Sequence, residues 1–246
     1  MSFFGKLFGG EQKQTTPPAA INSLPPKMQQ NVELVSKLID KKGLFAQRAR
    51  VALCIDISGS MSTLYSNGSV QEVCERILPL GIKFDDNQAI DIFLFSDGSR
   101  CRDIGELTTN NFPNFVKDVV VKKHMDLMGG TDYAPVMKKI IDKYTQTKGD
   151  PAYVLFLTDG DNSDHSNAER AIKDASNKGI FWQFVGIGGA SFNFLKKLDT
   201  MSGRTIDNAN FFSVDNISRM SDSELYEKML AEFPSWLNEA KSKSII

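Results

Sequence analysis

Nearly continuous apolar segments alternate along this chain with segments whose apolar residues recur at helical spacing. The apolar segments 51–57, 153–157 and 180–185 contain almost no polar residue, which is typical of strands that are covered on both faces. Helices packed on both sides of a mostly parallel sheet produce this alternation. The pattern therefore predicts a doubly wound α/β fold, with a mostly parallel central sheet of about six strands, one of them antiparallel.

The individual elements follow from the period of the apolar positions and from the turn residues between them. A turn at 96–99 precedes the segment 100–104, which we expect to return antiparallel beside a strand at 89–95. The other strands are predicted at 50–57, 152–158, 180–186 and 211–214. Helices are predicted at 27–42, 70–82, 112–123, 133–144, 166–177, 192–198 and 222–241.

The N-terminal part of the chain differs from the rest in composition. Residues 9–26 are rich in Gln, Thr, Pro and Ala, so we expect residues 1–26 to form a flexible tail and linker. Residues 27–246 are predicted to form a single domain with its core at 50–214 and flanking helices at both ends. Apolar residues within 1–10 could contact a membrane or a partner groove, but a segment this short does not form a stable isolated helix. A loose tail is the favoured interpretation.

Charge and cysteine content exclude several classes of function. The 29 basic and 30 acidic residues give a net charge of −1, which indicates neither a nucleic-acid partner nor an anionic membrane surface. Cys54, Cys74 and Cys101 are odd in number and lack metal-type spacing, so we expect packing thiols in a reducing cytoplasm. No apolar run is long enough to span a bilayer. The oligomeric state stays open.

Oxygen-bearing side chains gather where predicted strands end. Three of them stand at i, i+2 and i+4, on one side of an extended segment, and the loops at 128–132 and 157–161 add two more. Ligands of open α/β sheets bind at such strand ends. Oxygen ligands without thiolate or imidazole favour Mg²⁺, with Mn²⁺ or Ca²⁺ as alternatives, over zinc. The candidate metal ligands are Asp56, Ser58, Ser60, Thr131 and Asp159.

These three loops resemble those of a von Willebrand factor A-type (VWA) domain. Asp-Ile-Ser-Gly-Ser at 56–60, Gly-Gly-Thr-Asp at 129–132 and Leu-Thr-Asp-Gly at 157–160 are together similar to its metal-ion-dependent adhesion site (MIDAS). The resemblance covers about residues 50–214. It implies that Ser58, Ser60 and Thr131 touch the ion directly, whereas Asp56 and Asp159 act largely through bound waters.

Within that family, the segments 129–136 and 158–164 are most similar to bacterial tellurium-resistance, TerF-like A domains. The resemblance implies a cytoplasmic protein-binding module in which a partner's Asp or Glu carboxylate completes the shell of the cation. It also implies a role in bacterial resistance to tellurite or related stress. Loop residues such as Met61, Tyr65 and Tyr133 would supply specificity.

Other interpretations of these residues stay open. Each loop taken alone is also typical of an ordinary turn, and Asp132, Asp161 and Asp164 are expected to be helix-start or solvated charges. A Mg²⁺-dependent phosphotransfer or phosphatase-like reaction at Asp56 is the main enzymatic alternative. That chemistry usually requires a lysine near the ion, and no lysine lies in the three loops. We therefore predict a protein that is not an enzyme.

The histidines and a glycine-rich segment could suggest catalysis or cofactor binding, but neither has the full motif that such a function requires. His124 and His165 are the two histidines, and we expect His165 to begin a surface helix because no Gly-x-Ser-x-Gly elbow accompanies it. Residues 186–191 begin like a dinucleotide-binding fingerprint but lack its last glycine, so they are predicted to form a turn.

Overall fold

The computed structural model describes residues 20–146 and 149–246, and its centre is a six-stranded sheet. The strands are β1 (Arg50–Asp56), β2 (Ile90–Phe95), β3 (Cys101–Leu107), β4 (Ala152–Thr158), β5 (Ile180–Ile187) and β6 (Ala209–Val214). Their order in the sheet is β3-β2-β1-β4-β5-β6. All neighbouring strands pair in parallel except β2 and β3, which are antiparallel. This confirms the predicted fold class.

The two faces of the sheet bury separate apolar cores. In β1, Val51, Leu53 and Ile55 contribute to one core, whereas Ala52 and Cys54 contribute to the other. Successive side chains of a strand point to opposite faces, so a strand buried on both sides must be apolar throughout. The continuous apolar pattern of β1, β4 and β5 therefore has a direct physical cause in this two-sided packing.

Helices cover both faces. The α-helices of the described residues are α1 (Pro26–Lys41), α2 (Ser62–Ser66), α3 (Ser69–Phe84), α4 (Lys122–His124), α5 (Ala134–Thr145), α6 (His165–Ala175), α7 (Asn193–Thr200), α8 (Asp222–Met229) and α9 (Phe233–Ser242). The first core contains residues from α1, α3, α8 and α9, and the second contains residues from α5, α6 and α7. Short 3₁₀ turns lie at Ile21–Ser23, Gly59–Met61, Met125–Leu127 and Ile217–Arg219.

Two predicted helices differ from the structure. The closing helix predicted at 222–241 is divided into α8 and α9, because Pro234 stands in the first turn of α9 and cannot continue a helix from the preceding residues. The helix predicted at 112–123 is instead a π-helical segment, Val116–Val121, that leads into α4. Both segments have the predicted apolar spacing, which does not distinguish one long helix from two short ones or α from π.

The N-terminal helix α1 packs against α3 and α8 and adds its apolar face to the first core. Its buried residues include Met28, Val32 and Val35, which recur at the spacing of one helical face. The predicted tail at 1–26 lies mostly outside the described residues. The proposed boundary between the tail and the domain at residue 27 stays a prediction.

Candidate metal centre

The strand order places the candidate residues at one point of the sheet. From β1 the chain winds outward through β2 and β3, and it then returns to β4 on the other side of β1 and continues through β5 to β6. The winding direction therefore changes between β1 and β4. Ligands of open α/β sheets bind outside the carboxyl ends of the strands at such a position. Asp56 ends β1, and Asp159 directly follows β4.

Asp56 is fully buried, and both of its carboxylate oxygens accept hydrogen bonds. The backbone N–H of Ser58 donates to Oδ1 at 2.7 Å, and the hydroxyl of Thr158 donates to Oδ2 at 2.7 Å. Tyr65 donates its hydroxyl to the backbone oxygen of Asp56 at 2.9 Å. Asp56 thus joins β1, the loop that follows it and the end of β4.

Ser58, Ser60 and Asp159 form a continuous chain of polar contacts. The hydroxyl oxygens of Ser58 and Ser60 lie 3.1 Å apart, and Ser60 donates to Oδ1 of Asp159 at 2.8 Å. Ser58 is buried, whereas Ser60 is exposed. The structure therefore brings four of the five predicted ligands together and leaves the solvent side of the cluster accessible.

Thr131 reaches the same region through backbone contacts of its loop. The N–H of Gly59 donates to the carbonyl of Gly129 at 3.0 Å, and the N–H of Ser163 donates to the carbonyl of Thr131 at 2.9 Å. These bonds attach the glycine loop to the other two loops. The Thr131 side chain is half-buried. It therefore belongs to the same loop cluster, although it is held there by its main chain.

The neighbouring acidic residues have structural roles that the sequence did not reveal. Asp164 accepts hydrogen bonds from the backbone N–H groups of Tyr133 and Ala134, at 2.9 and 2.8 Å, so it fastens the third loop to the start of α5. It is not the freely solvated charge that we expected. Asp132 accepts from the N–H of Gly98 at 2.7 Å and thereby holds the β2–β3 turn.

Two residues that we expected to supply specificity are inaccessible. Met61 and Tyr133 are fully buried, so the expectation that they contact a partner is wrong. Tyr133 instead donates its hydroxyl to the carbonyl of Gly160 at 2.7 Å and packs its ring in the second core. Tyr65 is partly exposed. Thr158 is a component of the site that we did not single out, and its position directly before Asp159 was the available signal.

The carboxylates of the cluster carry negative charge that no basic side chain of the described residues pairs with. Burial raises the pKa of Asp56 to about 6, opposed by hydrogen bonds from Ser58 and Thr158 and reinforced by the Asp159 carboxylate. Within the described ranges, neither Asp56 nor Asp159 forms an ion pair with a lysine or arginine. Burying an unpaired carboxylate is costly. A cation at this position would remove that cost.

The donor set fits a hard divalent cation. Two carboxylates and three hydroxyls supply only oxygen ligands, as Mg²⁺, Mn²⁺ and Ca²⁺ prefer. Among residues 20–146 and 149–246, no three His, Cys, Asp or Glu side chains are grouped so that they could hold an ion. Binding here would consequently depend on the hydroxyls of Ser58, Ser60 and Thr131.

The other candidate groups have structural explanations. His165 stacks on Phe194, with ring centroids 4.0 Å apart, and its Nε2 lies 2.8 Å from Oδ1 of Asp161. The turn predicted at 186–191 begins later, because Gly186 and Ile187 still belong to β5. Gly186 lies against the ring of Phe192, where a Cβ atom would approach to 2.8 Å, so this glycine is required by packing. Cys54 and Cys74 are buried free thiols, as expected.

Comparison with known proteins identifies the family. A model described as the vWA found in the TerF C terminus, named vWA-TerF-like, matches residues 48–246, which is most of the chain. The chain belongs to the vWA-TerF-like family. YcbR of Bacillus subtilis (strain 168) is 42% identical to this vWA protein over 216 residues, which make up 86% of the chain and 87% of YcbR.

Solved structures share the fold of this vWA domain. Proximal thread matrix protein 1 from the mussel byssus matches with a TM-score of 0.56 and 16% identity, over 75% of this chain and 47% of its own. A structure of the same protein with zinc in its MIDAS motif gives a TM-score of 0.52 and 17% identity, over 75% of this chain and 48% of the mussel chain. BatB from Bacteroides thetaiotaomicron matches with a TM-score of 0.50 and 16% identity, over 79% of this chain and 99% of BatB. The chain thus spans about half the length of the mussel structures. At these identities the similarity shows the fold alone.

None of the helices in the described ranges combines the length and apolar character that crossing a membrane requires.

Proposed function

We propose that this vWA protein is a metal-dependent protein-binding module. Ser58, Ser60 and Thr131 would hold a divalent cation, Mg²⁺ in the first place and Mn²⁺ or Ca²⁺ as alternatives, with Asp56 and Asp159 balancing its charge. When bound, the cation supplies an electrophilic centre that accepts an Asp or Glu carboxylate from a partner. The protein residues position the oxygens, hold the three loops together and leave one side open.

The observation that carries this proposal is the contact between Ser60 and Asp159. Ser60 belongs to the loop after β1 and Asp159 to the loop after β4, yet the hydroxyl and carboxylate lie 2.8 Å apart at the accessible end of a buried cluster. An exposed hydroxyl beside an unpaired carboxylate offers oxygen ligands to solvent. A solved structure that shares the fold, that of the mussel protein, has zinc in its MIDAS motif, and this supports a divalent cation at this place in the fold.

The cellular setting of the proposal rests on the family. The matching model is named after TerF, and we propose a cytoplasmic role in bacterial resistance to tellurite or related stress. Partner capture through a carboxylate requires no basic surface, which agrees with the net charge of −1.

Thermal unfolding with and without a cation tests the metal site. We expect millimolar Mg²⁺ to raise the melting temperature of the wild-type chain relative to the same chain in chelator, by roughly 5–10 °C when the ion is present at about 100 times its Kd. Asp159→Asn should abolish this rise. Asp161→Asn is the matched control, since Asp161 is an exposed carboxylate of the same loop and should leave the rise intact. A melting temperature indifferent to Mg²⁺, Mn²⁺ and Ca²⁺ would exclude the proposed site.

Capture of partners from a native bacterial lysate tests the binding function. We expect proteins that elute with chelator to be retained by the wild-type chain and by Asp161→Asn, but not by Asp159→Asn. Retention that is the same in Mg²⁺ and in chelator would show that partners bind elsewhere.

The phosphotransfer alternative requires Asp56 to act as a nucleophile. Its carboxylate would have to attack a phosphoryl group, but it is fully buried and both oxygens already accept hydrogen bonds. We therefore expect no adduct on Asp56 by mass spectrometry after incubation with acetyl phosphate or beryllofluoride in Mg²⁺. A stoichiometric adduct at Asp56 would replace the binding proposal with an enzymatic one.

A further inference from the structure

An apolar groove of about 430 Å³ lies beside the candidate metal centre. Its volume falls within the roughly 300–1,000 Å³ that is typical of ligand sites. One wall comes from α2 and the start of α3, and the other comes from the π-helical segment Val116–Val121 and the residues that precede the glycine loop. Its apolar lining includes Tyr65, Val116, Val121, Met125 and Met128.

The groove and the candidate metal centre share structural elements. Ser62 lines the groove, follows Ser60 by two residues and donates its hydroxyl to the carbonyl of Gly59 at 2.6 Å. Tyr65 lines the groove and donates to the backbone oxygen of Asp56. Met128 lines the groove and directly precedes Gly129, whose carbonyl accepts from Gly59. Occupants of the two sites would therefore touch the same loops.

The charge of the groove favours an acidic occupant. Among the described residues that line it, Lys117 alone carries a charge, and Lys117 is exposed. A cation bound by Ser60 and Asp159 would accept a carboxylate next to one end. The occupant that complements both features carries a carboxylate and an apolar side chain close together.

The shape of the π-helical segment supports a binding role. Val121 is 41% exposed, although most large apolar side chains of the described residues are buried. An extra residue in a π-turn displaces the neighbouring side chains, and such turns occur frequently at functional sites. Covering an exposed valine at the rim of an apolar groove is favourable, because it removes apolar surface from water.

From these observations we propose that the groove binds the apolar side chain that neighbours the metal-binding acid of a partner segment. The recognised element is an Asp or Glu with a Leu, Ile, Met or Phe a short distance away along the chain. The carboxylate completes the cation shell, the apolar side chain enters the groove, and Lys117 attracts the negative charge. This inference rests on the proposed function and specifies the chemistry of the partner.

Selection from a library of short peptides with a central aspartate tests the inference. The full chain would be the bait, once in millimolar Mg²⁺ and once in chelator. In Mg²⁺ we expect enrichment of an apolar residue at a constant offset from the aspartate. A synthetic peptide from the selection should bind roughly tenfold or more tightly than its version with Ser at that offset, measured by fluorescence anisotropy.

Matched variants assign the effect to the groove. Val121→Ser should remove the preference for the apolar peptide over its Ser version, whereas Phe45→Ser, at a position 80% exposed on the loop after α1, should leave it intact. Lys117→Glu should weaken binding of the selected peptide more than Lys123→Glu, which lies on the same surface segment but outside the groove. All four variants should keep the rise in melting temperature with Mg²⁺.

The outcomes separate this inference from the function on which it rests. Enrichment in Mg²⁺ of acidic peptides without an apolar preference would overturn the groove assignment and leave the metal-dependent module in place. No enrichment in Mg²⁺ would overturn both. Mg²⁺-dependent dimerisation in sedimentation that Lys117→Glu abolishes would assign the groove to a second copy. Enrichment only in a variant lacking residues 1–19 would assign it to that segment. Either result would contradict the proposal.

Discussion

The hydroxyl of Thr158 donates a hydrogen bond of 2.7 Å to Oδ2 of Asp56, and this bond joins the ends of β1 and β4. The register of the two strands produces it, because Ile55 lies opposite Leu157 and the next residues therefore meet at the edge. Both residues are fully buried. Thr158 thus holds the carboxylate at the centre of the candidate site in one position.

Removing this donor should destabilise the protein. In Thr158→Val the shape of the side chain is retained, but Oδ2 of Asp56 loses its partner, so we expect the free energy of unfolding to fall by about 1–3 kcal/mol. Denaturant unfolding measures the change. Thr158→Ser keeps the hydroxyl and should retain most of the wild-type free energy of unfolding. Thr63→Val, at an exposed position on α2, should change the free energy of unfolding little. Equal stability of Thr158→Val and the wild type would mean that the bond contributes nothing.

Much of the architecture could be predicted from the sequence because burial on both faces leaves a direct trace in β1, β4 and β5. The strand at 152–158 was predicted with its observed bounds, and the strand-end rule grouped Asp56 with Asp159. The roles of Thr158 and Asp164 could not be predicted, because their partners are set by strand register and loop path. Apolar spacing also failed to show the π-helical segment or the division of the closing helix.

A second prediction concerns pH and lies away from the candidate site. Burial raises the pKa of Asp199 to about 6, with the neighbouring Asp207 carboxylate adding to the rise and Arg204 opposing it. A carboxyl whose folded pKa is raised binds its proton more tightly in the native state. Its contribution to stability is therefore most favourable below the unfolded pKa and declines as pH rises through about 6.

Asp199→Asn removes that ionisation and can still accept the backbone hydrogen bond from Phe211. We expect it to raise the melting temperature relative to the wild type at about pH 7.5, and by clearly less at about pH 4.5. Asp215→Asn, at an exposed position, should show no such difference between the two pH values. An equal rise in melting temperature at both pH values would contradict the ionisation of Asp199 as its cause.

A third prediction concerns the contact between α3 and β2 at Gly81. Alanine is the better helix former by about 1 kcal/mol, which would favour Gly81→Ala if propensity decided the outcome. A Cβ atom there would lie 2.6 Å from Cγ1 of Ile90 and 2.7 Å from the carbonyl oxygen of Ala89. Backbone cannot move aside as a flexible side chain can, and overpacking costs about 1–3 kcal/mol.

We therefore expect Gly81→Ala to lower the free energy of unfolding in spite of its helix propensity. Gly189→Ala is the control, because a Cβ atom there meets nothing within 4 Å. Denaturant unfolding of the two variants decides between propensity and packing. A more stable Gly81→Ala would show that α3 can shift away from β2 at little cost.

The last prediction tests how the glycine loop is positioned at the candidate metal centre. A Cβ atom on Gly129 would lie 2.5 Å from Oδ1 of Asp97 and 2.7 Å from Nη1 of Arg100. Both are ends of flexible side chains, so they can move and the fold should remain stable. Arg100, however, donates to the carbonyl of Met128 at 3.0 Å, and moving it releases the loop that carries Thr131.

Gly129→Ala should therefore leave the melting temperature in chelator close to that of the wild type but weaken Mg²⁺ binding by roughly tenfold or more, as loss of a supporting contact typically does. Gly130→Ala is the matched control, since a Cβ atom there approaches Asp97 no closer than 3.5 Å. Titration of the melting temperature with Mg²⁺ measures both affinities. Equal affinities for the two variants would mean that Arg100 and Asp97 do not position Thr131. Selective loss in Gly129→Ala would show that the β2–β3 turn sets the geometry of the metal site from outside it.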